Sequence, residues 1–109
     1  MSVTHIPVSS RSPFQPLADG VEVSRSIADS GVCDFGGGHF RFVADGELEG
    51  TLDYDEVVYV LAGSLSVTVA GETSEAGPGD ILILTRGSTA TYRAVAGSEV
   101  FYVIQPKPV

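Results

Sequence analysis

The sequence has no tryptophan, a single cysteine, one methionine, two histidines and only six basic side chains in 109 residues. Each shortage excludes something. Cys33 alone cannot form an internal disulfide, and no C-x-x-C pair exists for metal binding or redox exchange. Six Lys and Arg stand against fourteen Asp and Glu, a net charge of -8. Such a surface repels phosphate backbones and anionic lipid, so no nucleic acid and no membrane partner is expected. No apolar run approaches the ~20 residues that span a bilayer. No window repeats apolar residues at i, i+3, i+4 and i+7, and internal repeats and low-complexity tracts are absent. No G-x-S-x-G elbow occurs. Gly36-Gly37-Gly38 is not a phosphate loop, because no helix follows it; a bulge or sharp strand entry is the expectation. With no basic, apolar leader ahead of the domain, the expected compartment is a reducing cytoplasm.

What is present is a regular succession of turns. Asp19-Gly20, Asp45-Gly46, Ala70-Gly71, Pro78-Gly79, Arg86-Gly87 and Gly97 separate short runs rich in valine, isoleucine, tyrosine and phenylalanine. This is an all-β pattern in one domain, large enough to remove roughly 65% of its unfolded surface from water. Residues 1–20 carry Pro7, Pro13 and Pro16 among serines and read as an N-terminal arm or edge segment, with the barrel over 21–109. Leu65, Val67 and Val69 alternate with Ser66 and Thr68, as in a strand with one wet face. Val57 to Leu61, Ile81 to Leu84 and Val100 to Ile104 are apolar on both faces. Their outward faces need cover, so a homodimer packed sheet against sheet is expected, with the arm contributing.

Glu56 followed after six residues by Gly63, and Gly79 followed after seven by Gly87, resemble the two motifs of the cupin superfamily. The resemblance covers about residues 31–105 and implies a double-stranded β-helix, the jelly-roll barrel or sandwich. More narrowly, Thr51-Leu-Asp-Tyr-Asp-Glu-Val57, Val60-Leu-Ala-Gly63, Ala76-Gly-Pro-Gly-Asp80 and Arg86-Gly-Ser88 are similar to the cupin domain of the EutQ family. That family is associated with dimers, a bacterial microcompartment and an acetate kinase activity. Where most cupins hold a metal with histidines, the motif spacing reads Glu49, Thr51 and Ala90 here, so no cofactor is expected. A divalent metal would need an unusual set made of His39, Glu49 and Glu56.

The resemblance places the Glu56 face of its strand in the lumen. A carboxylate there costs several kcal/mol unless paired, hydrogen-bonded or protonated. Arg41, Thr51, Tyr54, Tyr92 and His39 are the candidate partners and ligand contacts, with Glu56 the candidate acid or base. His39 and Arg41 alternate with Phe40 and Phe42, and either pair can face the core. Arg41 inside would clamp a carboxylate or phosphate, or neutralise Glu56. The six carboxylates from Asp45 to Glu56 lack calcium-loop spacing and read as a solvated acidic edge. Cys33 reads as a buried or half-buried structural thiol, and His5 as exposed.

Three functions follow as expectations. The first is a metal-independent module binding a small carboxylate or polyol metabolite. The second is a EutQ-like enzyme, an acyl or phosphoryl transferase or a small lyase or isomerase, with Glu56 as general acid or base. The third is an accessory or scaffold dimer in a catabolic complex.

Overall fold

A computed structural model describes residues 2–108. Ten strands form two antiparallel sheets facing each other. The first, in spatial order, contains β1 (Gln15–Ala18), β2 (Val21–Ser24), β3 (Gly36–Phe42), β10 (Glu99–Gln105), β5 (Asp55–Ala62) and β8 (Ile81–Leu84). The second contains β4 (Gly46–Thr51), β9 (Thr89–Ala94), β6 (Leu65–Val69) and β7 (Glu72–Ala76). This is the all-β pattern expected from the turns and the jelly roll that the resemblance implies, and Gly20, Gly71, Gly79, Gly87 and Gly97 at those turns adopt the left-handed backbone that the tight reversals require.

Strict alternation along each strand decides what fills the space between the sheets. On β5 Val58 and Val60 are buried, as are Val100, Tyr102 and Ile104 on β10, and Phe40 and Phe42 on β3. Leu65, Val67, Ala90 and Tyr92 face them from the second sheet. Each fully buried valine or leucine contributes about 1.5–3 kcal/mol relative to leaving it in water. The outward residues of β5, β8 and β10 in the first sheet, among them Val57, Tyr59, Ile81, Ile83, Phe101 and Val103, are also largely apolar. Those of the second sheet are polar, among them Thr51, Thr68, Thr89 and Thr91.

The triple glycine is a close-approach device. Side chains at Gly37 and Gly38 would drive into the backbone oxygens of Tyr102 and Ser24, at 2.2 and 2.0 Å, and both φ values are positive. Only glycine lets β2, β3 and β10 lie together there.

The segment before β2 is docked rather than loose. Buried Ser24 donates from its hydroxyl to the Ser12 carbonyl at 2.6 Å, and the Ser12 amide donates to Ser26 Oγ at 2.9 Å. Residues 15–18 pair along β2 as an edge strand, where Pro16 is tolerated. One helix escaped the sequence reading: α1 (Ser26–Ser30) is five residues long, too short to show a period. Cys33 also departs from expectation. It is exposed, because the turn between α1 and β3 runs over the surface.

Candidate functional site

Between the sheets, opening at one end of the barrel, lies a cavity of about 170 Å³. Phe40, Tyr54, Tyr92 and Tyr102 supply its aromatic lining, Val23, Leu48 and Ile104 its aliphatic wall, and Leu17, Arg25 and Pro108 also border it. Larger depressions of about 290 to 430 Å³ lie elsewhere, but this cavity is the one that contains a buried carboxylate, Glu56, which is 5% exposed.

Three elements place the polar groups. Glu56 enters through β5, on the same face as Val58 and Val60. Tyr92 enters through β9 and donates its hydroxyl to Glu56 Oε1 at 2.5 Å. Tyr102, on β10, lies directly opposite Val58 and so shares this inner face, while Tyr54 stands in the turn that leads into β5. No hydrogen bond to Glu56 Oε2 forms among the described residues, and this oxygen is open to the cavity and the solvent that reaches it.

Burial dominates the electrostatics. It pushes the Glu56 carboxyl above the ordinary carboxylate value, against the opposing pull of the Tyr92 hydrogen bond. Burial and then the Glu56 charge push the Tyr92 phenol up. Tyr102 is pushed up to about 12, chiefly by burial, with Arg25 acting in the opposite direction. Tyr54 is raised by the same two causes as Tyr92. The cavity therefore holds a carboxyl biased toward its protonated form among phenols that stay protonated, a set able to accept and donate hydrogen bonds and to move a proton between Glu56 and an occupant.

Of the residues singled out in the sequence, the structure brings Glu56, Tyr54 and Tyr92 together and leaves the others outside. Phe40 and Phe42 take the inner face of β3, so His39 and Arg41 take the outer one. Arg41 does not neutralise Glu56. It pairs with Glu22 at 2.8 Å and lies 3.8 Å from the centre of the Phe14 ring. The physical reason is packing, since two phenylalanines gain more from the core than a cation can. His39 packs edge-on against Phe101 at 5.3 Å, and burial followed by Arg11 lowers its pKa. Its Nδ1 is buried without a partner among the described residues. Thr51 faces outward and shares a hydrogen bond with Thr89 at 2.8 Å.

The reading of Glu49 and Thr51 as former ligand positions is also corrected. Leu48 lies opposite inward-facing Tyr92, and Gly50 opposite fully buried Ala90. The inward positions of this segment are thus 48, 50 and 52, and three residues rather than four separate the motif pair from Glu56. Gly50, Leu52 and Ala90 offer no donor atom, and Glu49 accepts a hydrogen bond from Thr91 on the outer face. Among the described residues no three His, Cys, Asp or Glu converge, so His39, Glu49 and Glu56 form no set and the histidine-held metal found in most cupins does not fit. Of the other carboxylates between residues 45 and 56, Asp45 accepts from the Ala96 amide, Asp55 from the Arg86 amide, and Glu47 pairs with Arg93.

This combination of jelly roll, Glu56 and donor-free ligand positions has a family match. Residues 30–108 fit the family model described as ethanolamine utilisation protein EutQ. The chain belongs to the EutQ family of cupins. It is 36% identical over 56 residues to the acetate kinase EutQ of Escherichia coli, a match covering 51% of this chain and 24% of that protein. The chain therefore spans about a quarter of the length of the curated relatives it matches. The crystal structure of a EutQ protein from Salmonella typhimurium superposes with a TM-score of 0.77 at 26% identity, covering 87% of this chain and 80% of that one. KdgF from a Halomonas species superposes at 0.79 over 96% of both chains, with 16% identity, a likeness of fold alone.

Sequence reasoning missed Tyr102 and Arg25. Tyr102 sits inside the apolar run Val100 to Ile104, and its parity with those two residues was the available signal. Arg25 lies in an irregular stretch, where no alternation assigns a direction.

Proposed function

We propose that this EutQ-family cupin is a metal-independent small-molecule binding module whose site is the lumen cavity. One observation carries the reading: a buried carboxylate keeps one oxygen free toward an aromatic-lined cavity, with a phenol and no cation or metal set to satisfy it. With Arg41 outside, the one guanidinium among the lining residues is Arg25 at the border, and the polar contacts inside fall to Glu56, Tyr54, Tyr92 and Tyr102. A thermal-shift panel of small acids, amines, polyols and phosphates tests this. A ligand at 100 times its dissociation constant stabilises by about 2.7 kcal/mol, and the response should be lost in Glu56→Gln. No response across such a panel overturns the reading.

A second reading has support from the raised Glu56 carboxyl beside Tyr92: acid-base catalysis in the same lumen, as in a small lyase or isomerase. Turnover surviving Glu56→Gln removes it. Phosphoryl transfer, the activity in the name of the curated relatives, finds Arg25 as the one cationic side chain lining the cavity. We further propose that a second copy of the chain covers the outer face of the first sheet. Ile81 and Ile83 are 61% and 73% exposed there, in rows with Val57 and Tyr59, and two flat apolar faces of this kind are self-complementary. Light scattering giving a monomer at micromolar concentration overturns the dimer.

A further inference from the structure

One buried carboxylate walled by aromatic rings selects its occupant by charge as well as by size. The Tyr92 hydroxyl is the one hydrogen-bond partner of Glu56 among the described residues. The two ion pairs among those residues, Arg41 with Glu22 and Arg93 with Glu47, involve neither Glu56 nor any other residue lining the cavity. The Phe40 ring meets Tyr92 edge-on at 6.2 Å and Tyr102 at a tilt at 5.4 Å, and Tyr54 completes the aromatic lining. A carboxylate there, together with any ring face turned to the cavity, which carries the negative end of the aromatic quadrupole, attracts a cation and disfavours an anion.

Building on the reading of the lumen as a metal-independent binding site, we propose that its occupant is a small organic ammonium compound, with its cationic head against Glu56 and the rings of Tyr54, Tyr92 and Tyr102. The size agrees. A cavity of about 170 Å³ is close to the ~150 Å³ that admits a benzene-sized molecule, room for an ammonium head with a few carbons. The net charge of -8 draws cations toward the molecule. Arg25 is exposed at the border of the cavity and disfavours a second positive charge there, while offering a donor to a hydroxyl or carboxylate at the far end of the ligand.

Binding of a cation has a proton signature. The groups that face Glu56 are Tyr92 from β9, Tyr102 from β10, Tyr54 from the turn before β5 and, further out, Arg25; β8 contributes Leu84 beside it. The phenols and the guanidinium keep their protons near neutral pH, so a cation that stabilises the carboxylate expels a proton from Glu56 alone.

Calorimetry on the full chain with tetramethylammonium, acetate and glycerol, combined with ¹³C-tyrosine ring signals in NMR, tests the proposal. Tetramethylammonium has no proton to lose. It is expected to shift the rings of Tyr54, Tyr92 and Tyr102, to tighten by up to about tenfold per pH unit while Glu56 is protonated in the free protein, and to release protons in step. In Glu56→Gln its affinity should fall at least about tenfold and the proton release should vanish. The pH dependence of the unaltered chain carries the test if that variant fails to fold. Acetate or glycerol shifting those rings while tetramethylammonium does not overturns the ammonium proposal and leaves the lumen reading standing. Tetramethylammonium binding with no proton release and unaltered affinity in Glu56→Gln also overturns it. None of the three probes shifting the rings overturns the proposal and the lumen reading together.

Discussion

The two faces of the first sheet treat charge in opposite ways. On the outer face Glu22 meets Arg41, half-exposed, under the ring of Phe14, and the pair satisfies itself. On the inner face Glu56 is 5% exposed, meets a single phenol among the described residues, and has its other oxygen open to the cavity. Water screens the outer charges and leaves little at stake. The inner carboxyl has no such relief, so its state depends on what enters the cavity. Chemistry is therefore expected inside, and stabilisation of modest size outside.

The largest effect that sharpens this comparison comes from removing the wall that separates the faces. Phe42 is 2% exposed and packs with Phe40, at 6.1 Å between ring centres. Phe42→Ala should cost about 3–5 kcal/mol in chemical denaturation. A loss below about 1 kcal/mol would mean that β3 does not turn its phenylalanines inward.

Next in size is Tyr92→Phe, which removes the one hydrogen bond to the Glu56 side chain among the described residues and leaves the buried carboxyl without a partner there. The expected cost is about 1–3 kcal/mol, larger at high pH where the carboxyl must ionise. A neutral result would show that Glu56 has another partner in solution.

The pH behaviour of Glu56 has a definite sign. Its folded pKa lies above the unfolded value, so between the two the native state holds the extra proton. Glu56 therefore lowers stability as pH rises from the unfolded value through the folded one, and its destabilising contribution is complete above that. Glu56→Gln should remove this slope, gaining on the unaltered chain at neutral and higher pH relative to acid. Parallel denaturation curves of both chains from acid to neutral pH check it, and an unchanged slope would place the titration elsewhere.

Much of the fold was legible because turns and alternation are local signals. Glycines at reversals, and the sequences from Val57, Ile81 and Val100, mark strands without any knowledge of what they pair with. The lumen was half legible for a reason of geometry. Alternation says that His39 and Arg41 share a face, but only the competition of these two polar side chains with two phenylalanines for the core says which face. A one-residue ambiguity in motif spacing moved the inward positions from Gly50 and Leu52 to Glu49 and Thr51, since a single step along a strand exchanges its faces. Tyr54 and Tyr92 were found as polar aromatics near Glu56, whereas Tyr102 was hidden by the apolar run around it. The docking of the serines before β2 left no periodic trace, because it rests on hydroxyl and carbonyl contacts between segments distant in sequence.

The smallest expected effect lies on the outer face and completes the contrast. Arg41 and Glu22 are 41% and 29% exposed in their side chains, so water competes for both. Arg41→Gln should cost no more than about 1 kcal/mol, and the loss should shrink further in high salt. Part of the cost would persist in salt, because stacking on Phe14 is less screened than the ion pair. Ligand binding in the lumen should be unchanged, since the Arg41 side chain lies on the other side of the sheet from Glu56. Denaturation at low and high salt, with the same ammonium titration run on Arg41→Gln, measures both. A large loss of ligand affinity without loss of stability would show that the two faces are coupled and that the sheet transmits what happens at its outer surface to the cavity.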